Sequence, residues 1–183
     1  AKGDPKESKE SPLLEIALSD TGSKLLLMLL IADKETRHKC FDPYEHSVLF
    51  PDPTIMEDGE EVPTSRKDAE VRRKELIKYL REPLIELATK HTNELLRTKP
   101  GSLLLREVYA AYHPKELVQA LVETCQLGLE KGVVKGDEAE KSMSLFEDPK
   151  GHLAVKNLLL VDATSEDAPF ASEFVKGLKG RLM

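Results

Sequence analysis

This sequence predicts an all-α protein, an α-solenoid of irregular helical repeats interrupted by one long proline-rich and acidic insertion. Three observations predict it. Leucine occurs 29 times against 16 for isoleucine and valine together, a balance that favours helix over sheet. Apolar residues recur every three or four positions along most of the chain, which is the period of one helix face. A turn pattern also returns three times between apolar stretches: Ser19-Asp20-Thr21-Gly22, Thr98-Lys99-Pro100-Gly101 and Asp148-Pro149-Lys150-Gly151. In each, a capping side chain stands three residues before a glycine, where it satisfies free helix amides while glycine admits a backbone that other residues resist. Helix–turn–helix units bury their apolar faces on one another, so they stack. The glycines lie 79 and 50 residues apart, so the repeat is irregular, and a plain helical bundle with glycine turns is the simpler alternative.

The elements follow in order. Residues 1–10 carry six charges and almost nothing apolar, and are expected to fray. Ser11-Pro12 supplies a cap and a first-turn proline for a short helix through Leu18, and a second helix runs from Ser23 to about Asp33. Residues 11–40 thus make one repeat. The stretch 41–65 holds four prolines and the run Glu57-Asp58-Gly59-Glu60-Glu61, the signature of an irregular insertion that is mobile around its acidic part. Val48-Leu49-Phe50 is expected to tuck against a helix. Residues 66–183 form a second helical region. Ser65–Thr98 is helical, with Leu76, Leu80, Leu84 and Leu87 on one face and Pro83 marking a kink or a junction. Helices follow over Ser102–Tyr112, Pro114–Lys131 (Leu117, Leu121, Cys125 and Leu129 along one face), a fragment at Ser142–Phe146, His152–Val161, and one from Pro169 with Phe170, Phe174 and Leu178 four apart. Gly132–Glu140 reads as a charged loop.

Composition narrows the function. The net charge is −6, whereas a protein devoted to gripping phosphates is normally basic. Nine aromatics without tryptophan leave little for stacking platforms or sugar sites. Two cysteines 85 residues apart form neither a disulfide framework nor a zinc cluster, as expected of an intracellular protein, and the five histidines show no metal spacing. His91 reads as a core-edge residue. The longest apolar run, Leu25–Ala32, has eight residues, too few for a membrane span, and no secretory signal opens the chain. The absence of an initiator methionine suggests a piece of a longer polypeptide. Gly22-Ser23-Lys24 lacks the earlier glycine and the following Ser or Thr of a phosphate-binding loop. Cys40 and Cys125 lack an activating base, and the carboxylates of 57–61 occupy a loop unsuited to acid–base work. No enzyme, cofactor or metal is expected.

Two stretches carry a family resemblance. The run from Asp148 to Lys156, DPKGHLAVK, resembles the segment that opens the RNA-facing helix of a Pumilio (PUF) repeat, and Gly151–Leu158 also resembles the family's C-terminal "CPL" region. Arg66–Leu76, RKDAEVRRKEL, is similar to a charged stretch of the Puf-A branch of nucleolar Pumilio-like proteins. The resemblance covers roughly residues 13–180. It implies a nuclear, chiefly nucleolar factor of large-ribosomal-subunit assembly and pre-rRNA processing that contacts nucleic acid largely without sequence preference. The implied partners are rRNA or a pre-ribosomal particle, ribosomal or assembly-factor proteins, and the remainder of a parent chain.

A Pumilio repeat reads one base with two edge-contacting side chains and one that stacks. By this resemblance the edge pairs are Ser23 and Leu27, Ser102 and Arg106, and His152 and Lys156. The stacking positions are Lys24, Leu103 and Leu153. Leucine neither stacks nor hydrogen-bonds, so base reading is not expected. Phosphate contact remains open to Lys24, Arg106 and Lys156, with His152 as either a cap or an RNA contact. Arg72-Arg73-Lys74 is the densest positive spot, fit for rRNA or an acidic partner, or else a solvated face with intrahelical pairs. A protein-binding HEAT- or armadillo-like scaffold without RNA contact is the alternative that the acidic balance favours.

Overall fold

The computed structural model describes residues 11–50, 54–130, 144–165 and 169–179. Ten helices and one hairpin are present among them: α1 Pro12–Leu18, α2 Gly22–Leu30, α3 Lys34–Cys40, α4 Pro43–Leu49, β1 Thr54–Glu57, β2 Glu60–Pro63, α5 Ala69–Lys90, α6 Thr92–Leu96, α7 Lys99–Tyr112, α8 Lys115–Glu130, α9 Pro149–Ala163 and α10 Pro169–Lys179. The expected terminal tail and the 132–140 loop lie outside the described residues, as do the side chains of Leu129 and Leu178.

Helix α7 is the hub. It packs on α2 to one side and α9 to the other, while α5 packs on α8 and α8 on α10. Short α6 touches α5, α7, α8 and α9. Leu104, Leu105, Val108 and Tyr109 of α7, Leu117, Leu121 and Cys125 of α8, and Leu84 and Leu87 of α5 meet in one apolar core. The mostly helical fold follows from these periodic stripes, which a helix buries as a continuous band.

In each of the three turns the capping side chain accepts from a helix-start amide, three residues on in the first two and two residues on in the third. The Gly22 N–H donates to Ser19 Oγ (3.1 Å), the Gly101 N–H to Thr98 Oγ1 (3.2 Å) and the Lys150 N–H to Asp148 Oδ1 (2.9 Å). The role of the glycines differs from the expected one. Among the described glycines only Gly59 has a positive φ, so the three turn glycines need no special backbone. They are needed for close approach. A Cβ on Gly22, Gly101 or Gly151 would stand 2.8, 2.8 or 2.6 Å from the carbonyl oxygen of Ile16, Leu95 or Leu145, six residues earlier each time.

Several elements depart from the sequence reading. Within 41–65 the described residues carry regular elements: Asp42 and Glu45 form a reciprocal capping box for α4, and Asp58-Gly59 turns a two-stranded hairpin. Leu49 and Phe50 pack on the core, but Val48 is exposed. Ser11 stands at the α1 cap position without a side-chain cap bond. No junction falls at Pro83, which lies inside α5 on its exposed side, and the chain breaks instead at His91, which ends α5 and precedes α6. Of the expected fragment at Ser142–Phe146, residues 145 and 146 belong to a turn, and 142–143 lie outside the described residues.

Candidate nucleic-acid interface

Helices α2, α7 and α9 each follow one of the three glycine turns. In α7 the buried stripe is Gly101, Leu104, Leu105, Val108 and Tyr109, and in α9 it is Gly151, Ala154, Val155, Leu158 and Asp162. In α2 it is Ser23, Leu26, Leu27 and Leu30, displaced by one residue relative to the glycine. One residue is a rotation of about 100°. Ser23 (2% exposed) and Leu27 (1%), the expected edge-reading pair of α2, therefore lie in the core. By the same one-residue shift, the α2 counterparts of Ser102, Leu103 and Arg106 on α7 and of His152, Leu153 and Lys156 on α9 are Lys24, Leu25 and Met28; Leu25 and Leu153 are exposed, while Leu103 and Met28 pack partly on the core. The stacking position is then leucine in all three helices: Leu25, Leu103 and Leu153.

The seven candidate contacts divide by their partners. Lys24 pairs with Glu45 of α4, and this hydrogen bond holds the Glu45 carboxyl below its ordinary range. Arg106 donates through Nε to Glu107 Oε1 (2.7 Å) and through a terminal nitrogen to Cys40 Sγ (3.6 Å). Burial pushes the Cys40 thiol up, against the pull of Arg106. Arg73 donates to the Leu29 carbonyl (3.0 Å) and to Glu70 (3.1 Å), so it caps the end of α2. Glu75 is taken by Lys67 rather than by Arg72. Arg72, Lys74, His152 and Lys156 are exposed, and no ion pair joins them to a described residue.

The structure brings α3 and α4 against the outward residues of α2 and α7 through the Lys24–Glu45 and Arg106–Cys40 contacts. Neither short helix contains a fully buried residue, although Phe41 between them is buried. On α9 the outward residues remain open. Exposed Lys150, at the head of the same helix, joins His152 and Lys156. Sequence reading passed over it, although it stands inside the third turn pattern. Asp162 is the sole carboxylate of α9 and is buried. The exposed surface of this helix is thus positive on an acidic protein. Its N-terminal position adds the positive end of the helix dipole.

No group of three or more His, Cys, Asp or Glu residues that could hold a metal is present among the described residues, and no described helix is long and apolar enough to cross a membrane. A groove of about 590 Å³ between α8 and α10 is lined by Val118, Val122, Pro169 and Ser172, among others.

Comparison with known sequences places this geometry in context. The profile of the CPL (NUC119) domain matches residues 22–168. Pumilio homolog 3 of Homo sapiens is 25% identical over 170 residues, which cover 92% of this chain and 24% of the relative. The chain therefore spans about a quarter of that protein. No solved structure matches the chain.

Proposed function

The chain belongs to the CPL (NUC119) domain family, and from that premise we propose that it is part of a non-enzymatic RNA-binding factor of the Puf-A type. In this reading it serves large-ribosomal-subunit assembly and pre-rRNA processing in the nucleolus, and it binds RNA without sequence preference. The α2–α7–α9 row is then a stretch of irregular Pumilio-like solenoid. One observation carries the RNA contact: α9 presents Lys150, His152 and Lys156 with no exposed carboxylate along its length. Leucine at each stacking position, and the burial of Ser23 and Leu27, support phosphate contact over base reading.

Anisotropy titration of single-stranded RNAs of unrelated sequence over a range of salt tests this reading. Near-equal affinities that fall steeply with salt are expected. Preference for one short motif by a few kcal/mol would contradict it. The second reading, a helical scaffold without RNA contact, is favoured by the net charge of −6, and absence of RNA binding at low salt would select it.

A further inference from the structure

The β1–β2 hairpin stands outside both the core and the RNA reading. None of its strand residues is fully buried, and none joins the apolar core. A lone two-stranded hairpin is marginal in water. This one also sets Glu57 directly opposite Glu60, a like-charge pair that costs stability.

The turn fixes which backbone groups are spare. Asp58 (φ 51°) and Gly59 (φ 85°) form the two-residue, left-handed turn that matches the twist of paired strands. Glu57 and Glu60 therefore exchange both backbone bonds, and the ladder alternates from there. Ile55 and Val62 bond to each other, whereas Thr54 and Met56 of β1, and Glu61 and Pro63 of β2, turn their backbone groups outward. No backbone bond joins Thr54 or Met56 to a described residue beyond the hairpin. Pro63 has no N–H and blunts the β2 edge. The β1 edge is whole.

The side chains along this edge are apolar and negative. Ile55 (54% exposed) shares one face with Val62, Glu57 and Glu60, and Met56 (70%) shares the other with Glu61. Residues 54–63 carry four carboxylates and no lysine or arginine. No ion pair joins Glu57, Asp58, Glu60 or Glu61 to a described residue, and Glu61 has only the Thr54 hydroxyl (2.5 Å). Arg66 and Lys67 follow at the end of β2 away from the turn, and Lys67 is taken by Glu75.

We propose that β1 is a docking edge for an extended basic segment of a partner protein, which adds a third strand beside it. The segment pairs its backbone with Thr54 and Met56. It sets lysine or arginine beside Glu57, in the field of the other three carboxylates, and covers Ile55 and Met56 with apolar residues. Strand addition takes its affinity from main-chain bonds and its specificity from alternate side chains. A second copy fits less well, since edge-to-edge pairing would bring two sets of four carboxylates together. The same charge repels RNA phosphates. The proposal goes beyond the RNA reading, which rests on α9.

The test titrates the whole, isotopically labelled chain with short synthetic peptides and reads the hairpin amides by NMR. A peptide of valine and lysine is expected to bind saturably, to shift the β1 amides and to slow hydrogen exchange at Thr54 and Met56. A counterpart of valine and glutamate leaves them unmoved. Methylating alternate backbone nitrogens of the basic peptide removes its donors and is expected to weaken binding by about tenfold or more. Glu57→Lys is expected to weaken it by about threefold or more. That substitution keeps the hairpin, because a lysine there faces Glu60. Met56→Pro removes an outward N–H and no ladder bond, and is expected to weaken binding as methylation does. Lys156→Glu leaves binding unchanged. Failure of the basic peptide to bind, or binding away from β1, overturns the proposal. Binding that survives both methylation and Met56→Pro overturns strand addition in favour of a purely ionic contact. Shifts at β1 on adding RNA, with none on adding the peptide, overturn it in favour of an RNA surface. A dimer that sedimentation shows dissociating on Met56→Pro overturns it in favour of a second copy.

Discussion

The Tyr109 hydroxyl donates to the Asp162 carboxylate in the core and so ties α7 to α9. The same two side chains receive α10: the Phe170 N–H donates to the Tyr109 oxygen (3.3 Å) and the Ala171 N–H to the second Asp162 oxygen (2.6 Å). Burial, with the Asp162 bond, pushes the Tyr109 hydroxyl above its ordinary range, so it stays a donor. Buried carboxylates persist only where such donors surround them. The free amides at the start of α10 supply the rest.

Tyr109→Phe keeps the ring and removes the donor, leaving Asp162 short of one partner. The expected loss is about 1–3 kcal/mol in urea unfolding. Asp162→Ala is expected to cost at least as much, because α10 loses its cap as well. A double variant that loses much less than the sum of the singles will show that the two act as one unit.

Gly101→Ala sets a methyl 2.8 Å from both the Leu95 Cα and its carbonyl oxygen. The turn cannot move without shifting α6, so a loss of about 1–3 kcal/mol is expected. Gly59→Ala meets open space and only the strain of φ 85°. Thermal melts should show a clear drop for the first and little change for the second, since the hairpin lies outside the core.

Adjacent arginines are expected to behave differently. Arg73→Ala removes the partly buried charge-assisted bond to the Leu29 carbonyl, at a cost of about 1.5–3 kcal/mol, and a solvent-exposed pair with Glu70 that adds about 0–1 kcal/mol. Arg72→Ala is expected to lie within about 0.5 kcal/mol of the parent. Equal losses in chemical denaturation would remove Arg73 from its capping role.

Lys150→Glu with Lys156→Glu is expected to weaken RNA binding while leaving helicity intact, both residues being exposed. The slope of log affinity against log salt should flatten by about 0.7 for each single-strand phosphate that the variant no longer neutralises. An unchanged slope would move the RNA surface away from α9.

Burial pushes the Cys125 thiol from an ordinary 9.0 up to about 12. The folded state therefore holds the proton more tightly than the unfolded chain does. This contribution to stability is fully present below about pH 9 and is lost as pH rises toward 12. Urea unfolding across that window should lose stability less steeply in Cys125→Ala than in the parent, and alkylating reagents should reach Cys125 only on unfolding.

The sequence by itself determined most of the longer helices and the three turns before α2, α7 and α9. Leucine periodicity, the caps at Thr98 and Asp148, and Pro169 at the head of α10 mark elements that the structure places within a few residues, because helix formation and capping are settled between neighbours three and four positions apart. The tertiary structure alone decided which side chains are free. Lys24 meets Glu45 from 21 residues away, Arg73 meets Leu29 from 44 and Arg106 meets Cys40 from 66. None of these partners is visible in a local window. The one-residue rotation of the α2 stripe was equally hidden. It moved Ser23 and Leu27 into the core and Lys24 outward, because the face a helix buries is chosen by the neighbours it packs against and not by the glycine that starts it.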